Sequence, residues 1–471
     1  MPDIAHQLGL ARQQLRRYFG YDDFRPSQRR VIQSVLGGHD TLGVLPTGGG
    51  KSICFQIPAL VTGGLTVVIS PLISLMQDQV EALKRRGISA AYLNSTLTPA
   101  EARSVMQRVG DGTLRLLYVS PERLAALTGE LRQSRVLPSL LAVDEAHCIS
   151  EWGHDFRPGY RELAKARYLL GNPQVVALTG SATPEVREDI VLSLRLQRHR
   201  LILGSFDRTN LWFGVVPVRD DRARLEALLQ AVKSSSSMSI VYAPTRGQTE
   251  LVTQVLREHG FRASPYHAGL ATAVRQQILH AFLDDQVEVI VATSAFGMGI
   301  DKPTVGLVVH WTISPTMESY YQEAGRAGRD GAPARCLVLY HRSDTTLARR
   351  QVESTFPDRR LVQQIWNGEA VAGVPRAVRE SAERLRRELR PQDGPVDWKR
   401  VDTRRRKALG RLLTMERYAR STGCRRRLLL EYFGERPGPC SGCDRCSGTP
   451  PDLAGPSRLG ELARRFARVQ I

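Results

Sequence analysis

Aromatic side chains are scarce in these 471 residues, at 6%, and only seven residues are cysteine. Seven thiols cannot staple a chain of this length, so a disulfide scaffold is excluded. No apolar run reaches the ~18 residues needed to cross a bilayer, and the first residues lack the apolar core of a secretion signal. No membrane attachment is expected, and the expected compartment is the reducing cytoplasm. Acidic residues are also in deficit: 47 Asp and Glu face 66 Lys and Arg, a net charge of +19. Such an excess points to a polyanionic partner, nucleic acid above all. A composition that simply favours arginine is the plain alternative. What is present suffices for sizeable cores: 42% of the chain is hydrophobic, and the length suits two to four domains.

From about residue 40, short apolar strands alternate with helical stretches. Thr41–Leu45, Thr66–Ser70, Leu114–Val119, Leu140–Val143 and Val175–Thr179 read as strands. A second such run holds Ser239–Tyr242, Val287–Ala292, Leu307–His310 and Cys336–Tyr340. This rhythm predicts α/β architecture, with two tandem parallel-sheet domains and crossover helices. The expected division is 1–205, 206–345, a basic helical and cysteine-bearing module over 346–449, and a tail over 450–471. Residues 376–427 carry 18 Lys and Arg against 7 Asp and Glu, the strongest charge block in the chain. The Arg390–Pro395 stretch should split it into two helices.

Leu45-Pro46-Thr47-Gly48-Gly49-Gly50-Lys51-Ser52 follows an apolar strand and precedes a helix. Glycines let backbone N–H groups wrap a triphosphate, and the helix aims its positive end at the charge. Lys51 would reach the β- and γ-phosphates of ATP, and Ser52 would hold Mg²⁺. Leu45 stands where the strict phosphate-loop pattern has its first glycine. The complementary acid follows another strand, at Asp144-Glu145-Ala146-His147. Asp144 would bind Mg²⁺ and Glu145 would polarise the attacking water.

Together with Gln322-Glu323-Ala324-Gly325-Arg326-Ala327-Gly328-Arg329-Asp330-Gly331, these elements resemble superfamily 2 helicases, and more narrowly the RecQ family of DNA helicases. The resemblance implies that the two domains are RecA-like, and that ATP hydrolysis drives 3′→5′ movement along single-stranded DNA. Duplex or branched DNA in recombination and repair would be the substrate. It also implies site residues. Tyr21 would stack on adenine, with Arg25 and Gln28 on its polar edge, and Thr47, Gly48, Gly49 and Gly50 would line the phosphates. Arg329 would reach the γ-phosphate across the cleft, with Arg326 and Gln322 supporting it. Trp152, His154, Phe156 and Arg157 match the aromatic-rich loop that couples DNA binding to hydrolysis, a core aromatic pair being the plain alternative. The stretch after Cys446 is too short for the winged-helix and terminal helical domains of many RecQ enzymes, and a monomer is expected. An RNA-dependent ATPase and an ATP-switched annealing protein are the rival functions.

Cys440, Cys443 and Cys446, at two-residue gaps, and Cys424 upstream have ligand spacing for one metal. Structural tetrahedral Zn²⁺ is the default; an iron–sulfur cluster or redox thiols are the alternatives. Cys54, Cys148 and Cys336 read as core fillers. Arg404–Arg406, Lys407 and Arg425–Arg427 are candidates to track duplex phosphates, or else a solvated helix face.

Overall fold

The structure is a computed structural model. It describes residues 3–46, 48–150, 157–297, 302–367, 369, 373–389 and 397–448. Two sheets dominate. The first contains β1 Thr41–Val44, β2 Thr66–Ile69, β3 Ala90–Leu93, β4 Leu116–Val119, β5 Leu140–Val143, β6 Gln174–Thr179 and β7 Arg200–Leu203. The second contains β8 Leu211–Pro217, β9 Met238–Tyr242, β10 Ala263–Tyr266, β11 Val289–Ala292, β12 Val305–His310 and β13 Ala334–Tyr340. Their orders are β3-β4-β2-β5-β6-β1-β7 and β10-β11-β9-β12-β13-β8. Every pairing within them is parallel.

The central strands β1, β2, β4 and β5 are buried along their whole length. Helices cover both faces of such a sheet, so its strands are apolar throughout and do not alternate. Register then builds the site. Val44 lies opposite Thr179, and Val143 opposite Ala177. The loops leaving β1, β5 and β6 therefore open side by side at one end of the sheet, where ligands of open parallel sheets bind.

The expected α/β plan holds, and every strand read from the sequence is present. Four strands were not anticipated: β3, β7, β8 and β10. β7 is an edge strand with three of four residues exposed, and β10 contains Pro265 and is only half-buried. Neither presents the continuous apolar run that marks a central strand.

Beyond β13 the chain is helical. Helices Asp344–Thr355, Arg359–Trp366, Arg376–Leu389 and Trp398–Arg420 surround a small core of Phe356, Leu385, Val401 and Ala408. Trp366 stacks on Trp398 beside it, ring centres 5.4 Å apart. Helices flank the predicted break, whose own residues lie outside the described set, as does the tail. The last helix, Arg425–Tyr432, packs back onto the α/β body. Leu429, Leu430 and Phe433 share one continuous core with residues of both sheets, and Phe433 stacks on Phe206 at 4.4 Å. The cysteine loop extends β8: Asp444 N–H donates to Phe213 O at 3.0 Å.

Candidate functional site

The phosphate loop leaves β1 with Gly48 and Gly50 at φ +77° and +68°, a backbone that side chains resist. A Cβ on Gly49 would come 2.8 Å from Pro46 O. Gln28 clasps this loop, donating its amide to Gly49 O and Gly50 O, each at 3.1 Å, while its own oxygen accepts from Arg25 N–H at 2.9 Å. Arg25 donates to Gly48 O. Tyr21, which follows helix Ile4–Phe19, is 58% exposed. Ser52 precedes helix Ile53–Thr62, and its hydroxyl accepts from Gln79 Nε2 at 3.2 Å. Thr47 lies outside the described residues.

The acid pair ends β5. Glu145 has φ +46°, uncommon for a residue with a side chain and a form of strain associated with functional sites. Its Oε1 lies 3.7 Å from Lys51 Nζ, with both side chains mostly buried. Asp144 is buried, and burial together with the neighbouring Glu145 charge raises its carboxyl above the usual range. A cation held by the Asp144 carboxylate would relieve that cost.

From Glu145 a polar chain runs to the second sheet. His147 Nδ1 lies 3.3 Å from Glu145 Oε2 and 3.0 Å from Thr179 Oγ1. Thr179 Oγ1 also accepts from Ser181 N–H at 3.4 Å. Ser181 Oγ accepts from Gln322 Nε2 at 2.8 Å. Gln322 lies in helix Met317–Ala324, and the loop after that helix carries Arg326 and Arg329. A Cβ built on Gly48 would lie 3.5 Å from Arg329 Cγ, so the arginine loop faces the phosphate loop across the seam. Arg326 lines a cavity of about 480 Å³ with Gln322, Glu323, His310, Tyr242 and, from the first domain, Arg157. Arg157 donates to Pro71 O at 2.7 Å. Trp152, His154 and Phe156 lie outside the described residues.

The four thiols of Cys424, Cys440, Cys443 and Cys446 lie within 4.8 Å of one another, and Cys443 Sγ is 3.9 Å from Cys424 Sγ. Sulfurs around tetrahedral zinc, with bonds of ~2.3 Å, stand about 3.8 Å apart. Burial opposes ionisation of Cys443, yet N–H groups of Arg425, Arg445 and Cys446 outweigh it and draw the thiol down to about 7. The residues therefore fit a structural zinc. Cys54 and Cys336 lie outside this cluster and are fully buried, and burial pushes their thiols up to about 12.

Several basic residues expected at a DNA surface are structural. Arg425 is 0% exposed, bound to Asp444 at 2.9 Å and to Tyr418 O. Arg426 is 2% exposed and holds Asp207, Arg208 O and Leu211 O. Arg404 is buried over Phe356, and Lys407 pairs with Glu185. Arg406 and Arg427 are exposed. Sequence reasoning also missed Arg208, Asn210 and Glu318, whose partners lie more than 100 residues away.

Residues 25–190 match the DEAD/DEAH box helicase family, 223–331 the helicase conserved C-terminal domain, and 380–447 the RecQ zinc-binding family. The ATP-dependent DNA helicase RecQ of Bacillus subtilis is 39% identical over 445 residues, covering 94% of this chain and 68% of that protein. Its namesake in Pasteurella multocida is 39% identical over 442 residues, covering 94% and 63%. The chain thus spans about two thirds of the length of these relatives. Among solved structures, Mycobacterium smegmatis helicase Lhr bound to ssDNA and AMP-PNP superposes with TM-score 0.56 at 20% identity, over 87% of this chain and 57% of that one. S. cerevisiae Dbp5 bound to RNA and ADP BeF3 gives 0.57 at 15%, over 86% and 99%. Two RecA-like sheets meeting at a phosphate loop define the two-domain helicase class. Within it, the zinc-binding match and the extent of identity make this chain a member of the RecQ family.

Proposed function

We propose that the protein is an ATP-dependent DNA helicase that moves 3′→5′ on single-stranded DNA and unwinds duplex or branched DNA in recombination and repair. One observation carries the proposal: the phosphate loop and the Arg329 loop face each other across the seam of the two sheets. A nucleotide held there draws the sheets together, and its hydrolysis lets them part, ratcheting a strand through the protein.

In this reading Tyr21, Arg25 and Gln28 take the adenine, and Gln28 leaves the loop carbonyls to do so. Lys51 and the amides of residues 47–50 hold the phosphates. Ser52 and Asp144 hold Mg²⁺, which when bound neutralises phosphate charge. Glu145 orients the attacking water. Arg329 stabilises charge on the transferring phosphoryl group, supported by Arg326; a guanidinium suits this because it is permanently charged and forked. The His147–Thr179–Ser181–Gln322 chain transmits the state of the site to the second domain. Trp152, His154, Phe156 and Arg157 sense the DNA, and aromatic stacking contributes about 1–3 kcal/mol per base. Cys424, Cys440, Cys443 and Cys446 hold a structural zinc. The enzyme works as a cytoplasmic monomer.

Strand displacement with 3′- and 5′-tailed duplexes tests the proposal. ATP-dependent displacement only from the 3′ tail is the expected result. ATPase stimulation by RNA above DNA, or ATP-dependent binding without displacement, would overturn it. Lys51→Ala should abolish turnover and leave DNA binding largely intact.

A further inference from the structure

The link between the two sheets contains Asp207-Arg208-Thr209-Asn210, a polar turn with no distinguishing mark in the sequence. Its fold is unusually determined. The Arg208 guanidinium donates to Gly325 O at 3.4 Å, Ala327 O at 3.0 Å and Gly328 O at 2.6 Å. These carbonyls lie in the loop just after helix Met317–Ala324, at the helix end where the dipole favours a cation. They also bracket the arginines of the seam: Gly325 and Ala327 flank Arg326, and Gly328 precedes Arg329. Asn210 adds a second clamp, donating to Gly328 O and Ala332 O, both at 2.8 Å. Gly328 has φ +55°, and a Cβ there would lie 2.4 Å from Asn210 Nδ2. The loop is therefore built around the link.

Arg208 also meets the other two parts of the machine. A Cβ on Gly48 of the phosphate loop would lie 3.8 Å from Arg208 Nη1. The carbonyl of Arg208 accepts from Arg426 of the zinc-binding region at 3.0 Å. One residue thus touches the arginine loop, borders the phosphate loop and is braced by the cysteine-bearing module.

We infer that Arg208 is a positioning residue for Arg329, fixing the backbone from which that guanidinium reaches the γ-phosphate. The inference rests on the function proposed above. Arg208 acts through the loop and not on the phosphate. A lysine there is a point charge and cannot reproduce a fork over several carbonyls.

The test compares wild type, Arg208→Ala, Arg208→Lys, Arg329→Ala and the Arg208→Ala/Arg329→Ala double variant, all zinc-loaded and with DNA present. Single-turnover phosphate release from ATP resolves slow variants, and steady-state kinetics separate kcat from KM. Arg208→Ala should lose about 100-fold in kcat, the scale of a ~1 Å misplacement, with KM for ATP and zinc content little changed and a cooperative melting transition retained, though lowered by the carbonyls left without their donor. Arg208→Lys should be similarly slow. The double variant should be no slower than Arg329→Ala alone, because a misplaced residue that is already absent costs nothing more. Millimolar guanidinium should restore part of the activity of Arg208→Ala and none of the double variant's.

Multiplicative losses in the double variant, wild-type kcat in Arg208→Lys, a change confined to KM, or a lost melting transition that accounts for the inactivity would each overturn the inference. Wild-type protein without DNA-stimulated ATPase would instead sink the proposed function.

Discussion

Two arginine pairs serve opposite ends in this molecule. Arg326 and Arg329 follow the Met317–Ala324 helix; Arg329 borders Gly48 of the phosphate loop and Arg326 lines the adjoining cavity with Gln322 and Glu323. Arg425 and Arg426 begin the Arg425–Tyr432 helix, buried against Asp444, Asp207 and backbone carbonyls. In the proposed function the first pair serves the nucleotide; the second is consumed in joining the cysteine module to the link between sheets. On that proposal the same side chain is motor part and rivet. A net charge summed along the chain counts both alike, which is why the basic block overstates the surface offered to DNA.

Arg329→Ala separates the pairs most sharply. Losing a residue that stabilises the transferring phosphoryl group should lower kcat for ATP by about 10³-fold or more, with DNA affinity and zinc content retained; phosphate release measures the first, fluorescence anisotropy and metal analysis the others. Arg426→Ala should do the reverse in kind. It strands the carbonyls of Arg208 and Leu211 and leaves the partly exposed Asp207 without its partner, a loss of about 2–3 kcal/mol. Denaturant unfolding should show that loss. A melting curve like the wild type's would mean Arg426 is dispensable to the core.

What the sequence makes legible follows from distance along the chain. The phosphate loop, the acid pair, the cysteine spacing and the Gln322–Gly331 run are contiguous, so residue type and order carry them. Strands buried on both faces are equally plain, whereas β7 and β10 are not, being exposed or broken by proline. Arg208 escaped because its meaning is in carbonyls 117 to 120 positions away. So did Glu318, which accepts from Tyr432 at 2.8 Å, and the His310–Glu323 pair at 2.9 Å under the arginine loop. The arginines of 425–427 show the reverse failure: adjacency suggested one shared role, and helical geometry turned two inward and one outward.

Asp144→Asn probes the acid side of the seam with a smaller effect. Burial and the Glu145 charge raise the Asp144 carboxyl, so the ionised form is disfavoured when no cation is bound. The amide removes that cost. Nucleotide-free Asp144→Asn should therefore melt about one to two degrees higher than wild type, since in a chain of this length about 1 kcal/mol moves the midpoint by roughly one degree, while losing ATP turnover. A lower melting temperature would mean that the carboxylate is already well compensated within the protein.

Arg427→Ala is the gentlest test, since Arg427 sits next to the buried pair yet points to solvent. Its side chain holds no core carboxylate, so stability should barely move. If it meets a DNA phosphate, affinity should fall evenly across sequences, and the slope of log K against log salt should lessen by about one. An unchanged salt slope would assign Arg427 to the solvated face of its helix and leave the cysteine module a purely structural brace. A reduced slope would instead make three consecutive arginines two rivets and one contact, divided by nothing more than the turn of a helix.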